Sequence, residues 1–180
     1  MKVHQRQQNI ISSLENKYIH DPLTGLLNRR GFYQKVLPDF NRCINEEKHF
    51  IAISVDLNGL KKINDTYGHS DGDIAISAIG NILINSSFQD ETCARFGGDE
   101  FVVYLKNLTG EMARIYMETF QRMISQLTLP TGEVVELSAS AGGAAFPEQG
   151  EDVMSLCKSA DMALYKVKQN GKADFKMKGM

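Results

Sequence analysis

The sequence has few cysteines and no arrangement of them that would cross-link a small domain. There are three, Cys43, Cys93 and Cys157, far apart and without a Cys-x-x-Cys pair. An odd number at these spacings argues against both a disulfide framework and a zinc site. Unpaired cysteines are typical of a reducing compartment, so we expect a cytoplasmic protein or the cytoplasmic part of a larger, membrane-attached one.

An excess of charge and a long hydrophobic run are also absent. The chain has 20 Lys and Arg against 22 Asp and Glu, a formal net charge of -2. Because no basic field would attract nucleic acid or anionic lipid, neither is an expected partner, and any phosphate site must be local. No apolar run approaches the ~20 residues of a membrane span. The apolar stretch near the N-terminus is too short for a signal peptide.

What the sequence does contain is enough apolar residues for one domain. It has 180 residues, of which 42% are hydrophobic, and this length suits a single core. Apolar periodicity, turn residues and helix caps delimit the expected elements. These are a helix from Arg29 to about Glu46, a strand at 49–56, a helix at 73–87 opened by Asp73, a hairpin at 93–105, a helix from Thr109 to about Leu127, a strand at 133–146, a helix from Val153 to Gln169 and an edge strand at 173–177.

This order of elements indicates the fold class. From Phe50 onward it is β-α-β-β-α-β, followed by a further helix and strand. That is the ferredoxin-like order, an α+β fold with an antiparallel central sheet. Its first and third strands lie side by side in the centre of the sheet. Residues 20–176 form this predicted domain.

Residues 1–19 form a predicted N-terminal helix, since Ile10, Ile11, Leu14 and Tyr18 recur at helical spacing. Two interpretations remain open. The helix either packs on the surface of the domain or is the end of a stalk from a larger protein with an N-terminal sensor domain.

Acidic residues stand where two of the predicted strands meet a turn. Asp56 ends the first strand, and Asp99 and Glu100 follow Gly97 and Gly98 in the hairpin. The glycine pair predicts a tight turn with positive φ, and it would let a phosphate approach the backbone closely. If the two strands are neighbours, the acids converge, and carboxylates with substrate phosphates suit Mg²⁺. The alternative is that these acids are ordinary solvated turn residues.

The stretch from Asp56 to Asp73 is dense in polar groups. It lacks the ligand spacing of an EF-hand. One interpretation is a loop in which Asp73 caps the following helix. The other is a purine pocket, in which Asp73 accepts hydrogen bonds from N1 and the exocyclic amine of guanine while Asn64 pairs with the base edge. Lys61 lies near enough to the strand end to meet a phosphate.

Basic residues cluster near the end of the last helix, namely Lys166, Lys168 and Lys172. They either complement the helix dipole or clamp the terminal phosphates of a nucleotide. The spacing alone does not separate these two roles.

Taken together, four segments resemble the GGDEF family of diguanylate cyclases. Each match would be weak alone, but four in the right order are specific. They are DPLTGLLNRRGF at 21–32, DLNGLKKINDTYGHSDGD at 56–73, RFGGDEF at 95–101 and ADMALYKVKQNGKAD at 160–174.

The resemblance implies a palm-like fold and the condensation of two GTP into cyclic di-GMP and two pyrophosphates between two facing domains. It implies Mg²⁺, with Mn²⁺ as a substitute, held by Asp56, the Leu57 carbonyl, Asp99 and Glu100. Asp99 is also the family's proton acceptor. The substrate positions implied by similarity are Asn64 and Asp73 for guanine, His69 for a further contact, the Gly97–Gly98 turn, and Lys61, Lys168 and Lys172 for phosphate.

The chain departs from the family pattern in two informative places. An inhibitory product site, Arg-x-x-Asp, would end five residues before the glycine pair, but this chain has Phe88-Gln89-Asp90-Glu91 there. Without the guanidinium we expect no feedback inhibition through this site. Lys172 replaces a more usual arginine, which keeps the charge but loses the bidentate fork. Asn58 and Leu60 replace the commoner acid and Phe, which the intact Asp56 makes tolerable.

Three functions compete. An active cyclase is favoured because every matched catalytic position carries competent chemistry. A silent GTP-binding or scaffold domain would usually show damage in the GGDEF segment or at Asp56, and neither is damaged. Another nucleotidyl-transfer enzyme on a similar palm would not need the guanine-reading Asp73.

Overall fold

The computed structural model describes residues 18–46, 48–85, 91–129, 131–171 and 174–178. Tyr18 and Ile19 are helical, and the rest of the predicted N-terminal helix, 1–17, lies outside the described residues, as does Lys172. The helices are α1 (Arg29–Asn45), α2 (Leu60–Tyr67), α3 (His69–Ile84), α4 (Gly110–Ile124) and α5 (Val153–Gln169). The strands are β1 (Leu27–Asn28), β2 (Phe50–Asn58), β3 (Glu91–Arg95), β4 (Glu100–Lys106), β5 (Leu127–Thr128), β6 (Val134–Val135), β7 (Ser138–Phe146) and β8 (Phe175–Met177).

The main sheet has the strand order β1-β3-β4-β2-β7-β8 within the described residues. The central pairs β3–β4, β4–β2 and β2–β7 are antiparallel, whereas the outer pairs β1–β3 and β7–β8 are parallel. β5 and β6 form a separate small hairpin. The predicted α+β class and the central pairing of the first and third ferredoxin strands, here β2 and β4, are confirmed.

Strand β2 shows how the sheet divides the core into two layers. Its odd-numbered residues, such as Ile51 and Ile53, pack in one cluster with α2, α3 and α4. Its even-numbered residues Phe50 and Ala52 pack in a second cluster with α1 and α5. Successive side chains of a strand point to opposite faces, so Asp56 lies on the same face as Ala52 and α5.

Side-chain caps begin helices α1 and α4 at the cap residues that the sequence predicted. The Asn28 Oδ1 accepts from the Gly31 amide at 2.9 Å, and the Thr109 hydroxyl accepts from the Met112 amide at 3.3 Å. Each satisfies an amide that has no partner inside its helix. Helix α5 spans the predicted residues Val153–Gln169. In the described part of the chain, no helix combines the length and apolarity that a bilayer crossing needs.

The interpretation of 56–73 as a loop capped by Asp73 is wrong. Two helices, α2 and α3, occupy most of this stretch and meet at Gly68, which has a positive φ of 97°. Asp73 is the fifth residue of α3 and not its cap. The sequence hid α2 because only Leu60 and Ile63 of its eight residues are buried, too few to give a clear helical period.

Candidate active site at the carboxylate edge of the sheet

The pairing of β2 with β4 brings the acidic residues together. Asp56 stands directly opposite Glu100 in this antiparallel pair. The Leu57 amide donates to the Asp99 carbonyl at 3.1 Å, which ties the turn to the end of β2. Asp56 is only 8% exposed, whereas Glu100 is exposed. One buried and one accessible carboxylate thus share an edge that solvent can reach.

Lys168 contributes a cation to this edge from α5. Its Nζ lies 2.6 Å from the Asp56 Oδ2, and the two side chains are 36% and 12% exposed. Because Asp56 points to the face that α5 covers, the last turn of α5 can reach it. Leaving such a carboxylate without a partner would be unfavourable, so the pair fixes both side chains. Of the predicted phosphate-binding lysines, Lys168 is the one that the structure places against the carboxylates.

The Gly97–Gly98 turn differs from the predicted hairpin in its backbone. Neither glycine has a left-handed φ, contrary to expectation. Instead, residues 96–99 form a longer connection closed by the Phe96 amide, which donates to the Glu100 carbonyl at 2.9 Å. A Cβ on Gly97 would lie 3.2 Å from the Glu100 Oε2, whereas one on Gly98 would meet nothing. The glycines therefore leave room at the turn.

Arg95 holds this turn from behind, a role that sequence reasoning missed. Its guanidinium donates from Nε and Nη2 to the Gly98 carbonyl at 3.2 and 2.9 Å. Its Nη1 also contacts both carboxylate oxygens of Asp21, at 3.2 and 3.1 Å. The Arg95 and Asp21 side chains are 13% and 16% exposed. We call Arg95, Asp21 and the Gly98 carbonyl the arginine clamp.

Asp21 is itself fixed by its neighbours. The amide and hydroxyl of Thr24 donate to its Oδ2 at 2.8 and 2.7 Å. Burial alone would raise the pKa of Asp21, but these hydrogen bonds and the charge of Arg95 hold the pKa below its ordinary value. Both residues of the clamp lie in motifs that the sequence shows, DPLTG and RFGG. The motifs are 74 residues apart, however, and nothing in the sequence indicates that they are in contact.

The predicted guanine-binding residues lie on α2 and α3. The half-buried Asn64 packs on Gly72, where a Cβ would be only 1.8 Å from the Asn64 Oδ1. Gly72, one residue before Asp73 in the chain, therefore allows α2 and α3 to approach each other at Asn64. His69 and Asp73 are exposed and four residues apart on α3, so they share a face of that helix.

Lys61 is exposed in the first turn of α2 and has no ion pair within the described ranges. Lys172 lies outside those ranges. The structure thus brings Asp56, Asp99, Glu100 and Lys168 together at one edge of the sheet. It brings Asn64 against Gly72 at a second place, and within the described residues no direct contact links the two groups.

The donor set suits a hard divalent cation shared with substrate. Within the described residues, no group of three or more Asp, Glu, His or Cys side chains is arranged to hold a metal alone. Asp56 and Glu100, with the carbonyls and acid of the adjoining turn, supply only oxygen ligands. Mg²⁺ is commonly bound through one or two carboxylates together with phosphates, so these residues fit it. The ammonium of Lys168 already occupies a cation position beside Asp56.

A central antiparallel sheet, helices on both faces and a carboxylate-bearing edge define a palm-like α+β domain of the nucleotide-cyclase type. The family model described as "Diguanylate cyclase, GGDEF domain" matches residues 18–174. The chain belongs to the GGDEF diguanylate cyclase domain family.

Known relatives agree with this assignment. Diguanylate cyclase DgcM of Escherichia coli is 31% identical over 166 residues, covering 92% of this chain and 40% of DgcM. The chain spans less than half the length of curated relatives such as this one. The GGDEF domain of TpbB (YfiN) from Pseudomonas aeruginosa superposes with a TM-score of 0.82 at 28% identity, covering 88% of this chain and 94% of that one.

A further likeness supports the fold alone. The coiled coil and GGDEF domain of DgcB from Caulobacter crescentus, solved with c-di-GMP, gives a TM-score of 0.88 at 23% identity. It covers 98% of this chain and 94% of the DgcB chain.

Proposed function

We propose that this chain is an active diguanylate cyclase domain that condenses two GTP into cyclic di-GMP and two pyrophosphates. The observation that carries the proposal is the in-register Asp56–Glu100 pair with Lys168 at 2.6 Å from Asp56. A silent domain would have no need to keep two facing acids and a phosphate-binding cation at one solvent-accessible edge.

In the proposed reaction each domain binds one GTP, and two domains face each other. Asn64 and Asp73 bind guanine, with His69 as a further contact. Asp73 accepts from the two donors of the guanine edge and would be poorly paired against adenine, which lacks that donor pair. The contact between Asn64 and Gly72 supports this role because Gly72 is adjacent to Asp73 in α3.

The triphosphate lies between the carboxylate edge and the basic residues. Lys61, Lys168 and Lys172 neutralise it, and the Gly97–Gly98 turn admits it near the backbone. Asp56, the Leu57 carbonyl, Asp99 and Glu100 would hold Mg²⁺, or Mn²⁺ in its place. When bound, the ion would polarise the α-phosphate and offset the charge on the leaving oxygen.

The chemical step is an in-line displacement. Asp99 takes the proton of the 3′-hydroxyl of one GTP, whose oxygen then attacks the α-phosphorus of the other. The α–β phosphoanhydride bond breaks and pyrophosphate leaves. Two such steps close the ring, so the protein contributes mainly positioning and charge stabilisation.

The chain is also proposed to lack feedback inhibition through an Arg-x-x-Asp site. Residues 88–90 lie outside the described ranges, but the last position of the window, Glu91, is half-buried. Burial raises the pKa of Glu91 to about 7, with a hydrogen bond to Tyr116 offsetting part of this effect. A carboxyl turned towards Tyr116 is poorly placed to bind a product molecule in solvent.

The setting of the domain is proposed from the sequence. We further propose that the domain acts in the cytoplasm and that its dimerisation is controlled by a partner sensor.

The deciding experiment is incubation of the purified chain with GTP and Mg²⁺ over a wide range of protein concentration. Chromatography resolves the nucleotides, with Asp99→Ala/Glu100→Ala as the control. We expect cyclic di-GMP to increase faster than linearly with protein and to vanish in the variant. A fusion to a strong coiled coil removes weak dimerisation as a cause of inactivity. If the forced dimer binds GTP and makes no product, the cyclase proposal fails and the domain is a GTP-binding module instead.

A further inference from the structure

Two consecutive arginines begin α1, and they point to different places. The Arg29 guanidinium carbon lies 5.3 Å from the centroid of the Phe96 ring, one residue before the glycine pair. That of Arg30 lies 3.9 Å from the centroid of the Tyr18 ring. Asn28 caps this helix through the Gly31 amide, so the backbone turn from which both arginines extend is fixed.

Arg29 lines the same cavity as residues of the carboxylate edge. This cavity has a volume of about 350 Å³ and opens between α1, α5 and the β3–β4 hairpin. Arg29, Glu100 and Lys168 form parts of its wall, together with Phe96 and Tyr165. It is wide enough for a chain of phosphates, and Lys168 connects it directly to Asp56.

Of the two cations in the cavity wall, Arg29 is the one that no carboxylate neutralises within the described ranges. Lys168 is paired with Asp56, and the Asp161 carboxylate accepts from the Ser54 hydroxyl at 2.5 Å. Within the described ranges Arg29 forms no ion pair; its guanidinium hydrogen-bonds to the Tyr33 side chain, which is uncharged and leaves its positive charge unneutralised. Its planar fork can bind two phosphate oxygens at once, which a lysine cannot do.

We propose that Arg29 is a further substrate-binding residue, which contacts the β- and γ-phosphates opposite Lys168 and holds them as pyrophosphate leaves. The proposal rests on the cyclase function in that it takes this cavity as the triphosphate site. It identifies the ligand as a polyphosphate chain rather than a base or a sugar.

The test is the affinity of the whole chain for inorganic tripolyphosphate in the presence of Mg²⁺, measured by titration calorimetry. This probe has no guanine, so it reports the phosphate site alone and needs no dimer. We expect Arg29→Ala to weaken binding about tenfold or more, the effect of one lost charge-assisted contact. Arg29→Lys should retain part of the affinity.

Arg30→Ala is the matched control, because it removes the same charge one residue away and should leave tripolyphosphate affinity unchanged. Equal losses of affinity in the two variants would mean that any positive charge near this site strengthens binding, which would overturn the proposal. Wild-type affinity in Arg29→Ala would also overturn it. If Arg29→Ala fails to fold by circular dichroism, Arg29→Gln takes its place under the same criteria.

If Arg29 only holds the Phe96 ring in place and does not contact phosphate, the measurements give a different result. In that case Arg29→Ala and Phe96→Leu would both lower kcat with tripolyphosphate affinity intact, which contradicts phosphate contact. Failure of the cyclase function is seen separately, as a coiled-coil dimer of the wild type that makes no cyclic di-GMP. The calorimetric difference between Arg29→Ala and Arg30→Ala does not depend on that assay.

Discussion

The two halves of the candidate site are held in different ways. At the carboxylate edge, side chains are fixed by hydrogen bonds and ion pairs, including the arginine clamp and the Asp56–Lys168 pair. On α2 and α3, His69 and Asp73 are exposed, and the structure shows a close approach only between Asn64 and Gly72. Phosphate chemistry needs charges in place before reaction, whereas base recognition can be completed by the base itself.

The largest effect is expected from the fixed half. Asp56→Asn should lower the rate of cyclic di-GMP formation by roughly 10³-fold, because it removes the buried acid proposed to bind the metal. Steady-state kinetics on the coiled-coil dimer measures this. Asp161→Asn is the control, since it alters an acid of the neighbouring cavity and should lower the rate far less. Equal losses in the two variants would mean that the loss of any nearby negative charge lowers the rate, and that the position of Asp56 does not matter.

Breaking the arginine clamp tests whether the fixed half depends on its support. Arg95→Ala should reduce the free energy of unfolding by about 3 kcal/mol, since it leaves Asp21 mostly buried without its partner. It should also lower kcat, because the Gly98 carbonyl loses its donor. Denaturant unfolding and kinetics give the two values.

Arg114 provides the comparison for the clamp. It pairs with Glu111 and Glu118 on the exposed surface of α4. Arg114→Ala should change stability far less than Arg95→Ala does, because exposed ion pairs are screened by solvent and contribute little. A clamp variant no less stable than this one would show that the clamp is not structural.

The less constrained half of the site, on α2 and α3, can be tested where Asn64 packs against Gly72. Gly72→Ala places a Cβ where Asn64 now lies, so we expect a loss of about tenfold in GTP affinity, measured by calorimetry, as Asn64 is displaced. In an Asn64→Ala background the added methyl has room, and the second loss should be smaller. Additive effects of the two substitutions would mean that Gly72 serves only the packing of the helices.

The smallest expected effect comes from Glu91, which lies outside both halves of the candidate site. It tests whether a titration elsewhere in the fold changes stability without changing activity. The pKa of Glu91 is raised from 4.5 to about 7, chiefly by burial. The folded chain therefore holds a proton that the unfolded chain releases, and stability should fall by about 1 kcal/mol as pH rises from 4.5 to 7, allowing for partial exposure.

Thermal unfolding across this pH range measures that loss, with Glu91→Gln as the control. The variant cannot ionise at this position, so its stability should change less with pH than that of the wild type. Parallel pH profiles would contradict the raised pKa. Activity should follow neither curve.

Much of the fold could be predicted from the chain. The helix from Val153 to Gln169 and the Thr109 cap follow from local propensity, and the β2 and hairpin strands follow from apolar runs. The failures fall where local signals conflict. Gly68 was interpreted as part of a loop, although it separates two helices, and Gly97–Gly98 predicted a left-handed turn that does not form.

The sequence by itself determined which chemical groups are present and which strands carry them, because these depend on residue type and on periodicity along the chain. Asp56, Asp99, Glu100 and Lys168 were all identified in this way. Only the tertiary structure decided which groups meet. Arg95 with Asp21, Lys168 with Asp56, and Arg29 with the cavity are brought together by strand pairing and helix packing, and these long-range contacts leave no local pattern that a sequence can show.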